Sequence, residues 1–141
     1  MKEIPIEIPA NYLYCFNEEC PKAKECMRHF ATQYVDAAQT KGYAVFPTVL
    51  RNRECDYFKQ KQSITLAYGF SHLFADVMAR HITVIRSKMK NYLGGNGSYY
   101  RYFHGERMLS PEQQAWILNL FAQYGYKDGL RFDEYKKMWD W

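Results

Sequence analysis

The 141-residue chain has little of what interrupts structure: 8 glycines and 5 prolines. That scarcity excludes a collagen-like or low-complexity chain. No run approaches the ~18 apolar residues that span a bilayer, so no membrane partner is expected. Residues 1–12 have no basic stretch followed by an apolar one, as a secretory signal requires. The closing Met-Trp-Asp-Trp matches no lipidation or retention signal. These absences predict a cytoplasmic protein. The motifs G-x-S-x-G, G-x-G-x-x-G and H-E-x-x-H and the Walker loop are missing too, which removes the most readable enzyme signatures. Charge of one sign is not abundant. A net +4 favours acidic partners, either an acidic protein or a single-stranded nucleic acid, without defining one.

Aromatic side chains are what the chain does have: 13 Tyr, 9 Phe and 3 Trp, or 18%. With 48% hydrophobic and 24% charged residues, it has the composition of a globular protein and not of a disordered one. Its length fits one domain, and no linker or repeat suggests a boundary within 1–141. The expected arrangement is a cysteine-bearing extended part, 1–60, packed on a helical part, 61–141.

Pro5 and Pro9 predict an extended start over 1–14. Pro21 suits the first position of a short helix, and 29–40 can continue it. Tyr43–Leu50, rich in β-formers but interrupted by Pro47, reads as an extended segment or edge strand. Leu66, Phe70, Leu73, Phe74 and Val77 fall at helical spacing, as do Ile82, Ile85, Met89 and Tyr92 or Leu93. Two helices broken near Ala79–His81, or one long bent helix, are expected. Gly94-Gly95 should end that pattern; no helix is expected to follow, so phosphate cradling there is not expected. Residues 98–108 read as an aromatic and basic connector or short strand. Ser110-Pro111-Glu112-Gln113 starts a helix, with Ser as cap, Pro first and Gln third. Residues 132–141 suggest a last short helix. The predicted fold is therefore mainly α: one helical domain with a cysteine-rich N-terminal loop and a short strand pair at most. Leu66, Phe70, Phe74, Ile85, Met89, Ile117, Leu120 and Phe121 should share its core.

All four cysteines are candidate ligands. Cys15, Cys20 and Cys26 give C-x4-C-x5-C, and Cys55 follows after a gap. Four thiolates suit a tetrahedral zinc ion or an iron–sulfur cluster. His29 is a substitute ligand. The spacing is irregular for a zinc knuckle, and free cysteines also pack as small hydrophobes. Zinc, an iron–sulfur cluster and unliganded thiols therefore all stay open, with zinc preferred. His72 and His81 lack the i, i+4 spacing of a ligand pair and read as core or surface residues. Tyr100, Arg101, Tyr102 and Arg107 are candidate binding residues, because rings stack on bases while Arg meets phosphates. The competing reading makes these tyrosines part of a small core.

Tyr14-Cys15, Cys20-Pro21, Cys26-Met27-Arg28-His29, Glu54-Cys55-Asp56-Tyr57-Phe58, Tyr99-Tyr100-Arg101, Gly105-Glu106-Arg107, Ser110-Pro111-Glu112-Gln113-Gln114 and Phe132-Asp133-Glu134-Tyr135 up to Asp140-Trp141 carry a resemblance. In these motifs, spread over nearly the whole chain, the sequence resembles a family of small uncharacterised proteins from gut bacteria. The resemblance implies a complete protein and carries over no ligand or catalytic role. The function expected is that of a non-enzymatic binding or regulatory protein with a structural metal; an iron–sulfur redox protein and a metal-free interaction module are the rivals.

Overall fold

The computed structural model describes residues 3–51 and 54–141. The chain divides into two compact units, Met1–Ile64 with Met138–Trp141, and Thr65–Lys137.

In the first unit, β1 (Leu13–Cys15) pairs in parallel with β2 (Tyr43–Val45), setting Leu13 against Tyr43 and Cys15 against Val45. Between them lies α1 (Met27–Ala31), preceded by a 3₁₀ turn at Ala23–Glu25 and prolonged by another at Thr32–Tyr34. Met27, Phe30 and Ala31 share one face of α1 at i, i+3 and i+4, and all are buried. With Tyr12 and Tyr14 they form a small core, against which Val35, Trp139 and Trp141 pack. The Phe30 ring lies 4.9 Å from that of Trp139, and the Lys61 ammonium sits 4.1 Å above Phe30. The expected extended start becomes a strand only at Leu13; Met1 and Lys2 lie outside the described residues.

The second unit carries α2 (Ala79–Tyr92), α3 (Asn96–Phe103) and α4 (Pro111–Gln123). Two further strands, β3 (Ser63–Tyr68) and β4 (Glu134–Trp139), form a two-stranded sheet. The amide of Asp133 donates to the Gly69 carbonyl and that of Asp140 to Gln62, so the strands run in opposite directions. The division between units falls within β3 after Ile64 and within β4 after Lys137. Ser110 accepts from the Gln113 amide at 3.2 Å while Gln113 accepts from the Ser110 amide at 2.9 Å, the reciprocal cap that the sequence announced. Phe70, Ile85, Met89, Ile117, Leu120 and Phe121 lie in the unit's main core, and Phe74 packs against it.

The mainly α expectation is overturned. The described chain is mixed, with four α-helices and two small sheets. Two segments carry the difference. Leu66 to Val77 is not a helix but β3 followed by a 3₁₀ turn, Ser71–Phe74. Gly69 breaks the run at φ 74°, and a Cβ there would stand 2.5 Å from the Asp133 carboxylate. Leu66 consequently stays half-buried, and Ala67 enters the core instead. Residues 134–139, expected as helix, form β4, because β3 offers an edge to pair with. The 98–108 connector is also corrected: α3 begins directly after Gly94-Gly95, so those glycines separate two helices.

Asp133 organises the turn after β3. Its carboxylate accepts hydrogen bonds from the Ser71 amide at 3.0 Å, the Ser71 hydroxyl at 2.8 Å and the His72 amide at 3.1 Å, and it meets His72 Nδ1 as well. Burial by itself would raise its pKa, but the bonds from His72 and Ser71 outweigh this and hold it below the ordinary 3.8. Removal of this cap by Asp133→Ala is expected to lower stability by about 0.5–2 kcal/mol at neutral pH. A carboxyl with a depressed folded pKa stabilises fully above its unfolded value and loses that contribution as pH falls through the folded one. The gap between wild type and variant should therefore close below pH 3.8, as urea midpoints measured across acid pH would show. A gap unchanged down to full protonation would contradict the assignment.

Candidate functional site: a four-cysteine cavity

Local structure delivers each cysteine to one place. Cys15 ends β1. Cys20 closes a turn, its amide donating to Asn17 and its carbonyl accepting from Ala23 at 3.1 Å. Cys26 caps α1, and its carbonyl accepts from the Phe30 amide at 3.0 Å. An antiparallel bridge from Cys26 to Gln60 ties α1 to the segment after Cys55, with the Met27 amide on the Lys59 carbonyl at 2.7 Å. Cys55 opens a turn whose carbonyl accepts from Phe58 at 3.2 Å.

All four cysteines line a single cavity of about 20 Å³, together with His29, Asn17 and Phe58. Cys26 is buried, the other three are half-buried, and all four are free thiols. Burial pushes the Cys15 thiol up; a hydrogen bond from the Asn17 backbone opposes this, and the nearness of Cys26, Cys20 and Cys55 adds to the rise. A divalent cation among them would reverse that penalty, because coordination deprotonates a thiol outright. Among the described residues, no group of three or more His, Cys, Asp or Glu side chains is placed so that it could hold a metal ion. What the fold supplies is the presence of all four thiols in the lining of one cavity.

His29 adds a further donor. Its Nε2 is buried and 3.1 Å from the Glu18 carboxylate, but the two are not aligned for a hydrogen bond.

Sequence reasoning missed the clamp that holds the cavity walls. Arg28 donates through Nε to the Tyr57 carbonyl at 2.7 Å and through a terminal nitrogen to the Leu13 carbonyl at 3.2 Å. These carbonyls lie two residues beyond Cys55 and two before Cys15. One guanidinium therefore joins the strand carrying Cys15 to the turn carrying Cys55. Lys22 adds a second tie, 4.9 Å above the Phe58 ring.

The aromatic and basic candidates are placed otherwise than an extended strand would have them. On α3, Tyr99 turns into the core, Tyr100 and Arg101 are exposed, and Tyr102 is half-buried with Arg107 6.0 Å above its ring. The rings do not share one open face.

A small mixed α/β protein that gathers its four thiols in one cavity is the class these features define. The chain belongs to a family of unknown function, DUF6078, whose model matches residues 1–141. No curated protein and no solved structure matches it. Among the described residues no helix is long and apolar enough to cross a membrane.

Proposed function

We propose that the chain is a non-enzymatic binding protein whose first unit is organised by a zinc ion held by Cys15, Cys20, Cys26 and Cys55. The convergence of all four cysteines on one cavity carries this reading. Its volume, about 20 Å³, suits a single-atom occupant, since one water needs roughly 10–15 Å³ on the same measure. A zinc ion would draw the sulfurs to about 2.3 Å. An iron–sulfur cluster needs room for several iron and sulfide atoms, so the cavity favours one ion over a cluster. Four thiolates also complete the coordination of zinc and leave no open position for a substrate, which makes the ion structural and not catalytic.

The test is metal analysis with an absorption spectrum, on protein purified without oxygen. Colourless protein with one equivalent of zinc, lost in Cys26→Ser and Cys55→Ser, is the expected result. A brown protein containing iron and sulfide would transfer the site to redox chemistry. Metal-free protein that takes up no added zinc would leave the cysteines as packing residues and overturn the proposal.

A further inference from the structure

We propose that a tyrosine-lined cleft in the first unit, formed by residues 6–14 and 34–43, binds a short, uncharged glycan. This inference does not depend on the metal, because none of the four cysteines lines the cleft.

Its volume is about 630 Å³, inside the roughly 300–1,000 Å³ usual for ligand sites. Tyr12, Tyr14, Tyr34 and Tyr43 contribute to its wall. Tyr34 and Tyr43 are 44% and 61% exposed, so their rings are accessible to a ligand. An aromatic face carries negative potential, and the C–H groups on the flat side of a sugar ring are its electropositive complement. Such stacking needs no charge on the ligand.

The polar groups of the cleft fit the same chemistry. Asn11, Asp36 and Gln39 line it, and together they offer amide donors with amide and carboxylate acceptors. Hydroxyl groups donate and accept at once, so neighbouring sugar hydroxyls can use both kinds. Asp36 is held in place: its Oδ1 accepts from the Ala38 amide at 2.9 Å, which leaves its other oxygen for a ligand. Asn11 stands in the left-handed region at φ 59°, where it turns the chain from Pro9-Ala10 into Tyr12.

Charge narrows the class. The lining carries one acid, Asp36, and one base, Lys41, so it has no cationic surplus. A nucleotide or sugar phosphate would find no net positive field to offset its charge. Length narrows it further. A second cavity of about 250 Å³ shares Tyr14, Gln39, Lys41, Gly42 and Tyr43 with the first. Two adjoining cavities along one wall suit a ligand of more than one sugar ring.

The experiment titrates the full chain with a panel of neutral oligosaccharides: cello-, malto-, xylo- and chito-oligosaccharides of two to four units. AMP and glucose 6-phosphate are the charged controls. Binding is read by amide chemical shifts and calorimetry. The expected result is saturable binding of at least one neutral series, with shifts confined to residues 6–14 and 34–44 and longer members bound more tightly. Tyr43→Ala and Gln39→Ala alter exposed side chains and should keep the fold, as their spectra would verify. Each should weaken binding by about tenfold or more, the equivalent of about 1.4 kcal/mol. Preference for the charged controls, shifts elsewhere in the chain, or affinity unchanged in both variants would overturn the proposal. So would the absence of shifts with every neutral series at millimolar concentration.

Discussion

Phe70→Ala is expected to destabilise the second unit by about 3–5 kcal/mol, enough to leave many domains of this size largely unfolded at body temperature. Phe70 is fully buried where the chain leaves β3. Its ring meets Tyr99 at 5.2 Å and Phe103 at 5.3 Å, both edge-on, so truncation removes apolar burial and two aromatic contacts together. The site has little means of collapsing around the cavity, since Gly69 on one side and the Ser71 cap on the other fix the backbone. Chemical unfolding followed by the far-ultraviolet helix signal measures the loss. A cost below about 1 kcal/mol would place Phe70 outside a well-packed core.

The second large effect concerns the metal and rests on the proposed zinc site. Removal of the ion by a strong chelator is expected to unfold the first unit and to leave the helices of the second in place. The two cores differ in size: five buried residues in the first against thirteen in the second, among those described. Small cores of this kind usually need a staple, and a structural zinc in small peptides supplies on the order of 10 kcal/mol. The three tryptophans report the event separately. Trp139 and Trp141 pack on the first core and Trp116 on the second. Chelation should shift most of the fluorescence to the red while helix content falls only slightly, and added zinc should restore it. Emission unmoved by complete removal of the metal would show that the first unit stands without it.

How much of this was legible in the sequence depended on how local the signals are. The cap at Ser110, the stripe Ile85-Met89 and the glycine stop at Gly94 all lie within a turn or two of the element they define, and each was read correctly. The strand at Tyr43–Val45 falls in the segment expected to be extended, but β3 and β4 were missed because their cause is distant. Glu134–Trp139 is a strand because Ser63–Tyr68 is there to pair with it, and nothing in either hexamer says so. Leu66, Phe70 and Phe74 imitate a helical period because a strand, a glycine turn and a 3₁₀ turn happen to bring apolar residues round at similar intervals. The gathering of the cysteines could be anticipated, as only four are present and three lie close in sequence. The Arg28 clamp could not, because its partners are backbone carbonyls, which every residue possesses. The tyrosine-lined cleft was equally silent: its rings come from segments some twenty residues apart, in a chain where tyrosine is common throughout.

The two tryptophans that finish the first core carry a consequence for synthesis. Met138–Trp141 belongs to the unit built from Met1–Ile64, with Trp139 and Trp141 against Phe30 and Tyr12 against Trp141. A ribosome delivers these residues only after it has made all of Thr65–Lys137. Domains ordinarily fold in the order in which they are translated. Here the expected order is the reverse: the second unit's core, Ala67 to Phe132, is complete before Trp139 and Trp141 are made, while Tyr12, Tyr14 and Phe30 of the first core still lack those two rings.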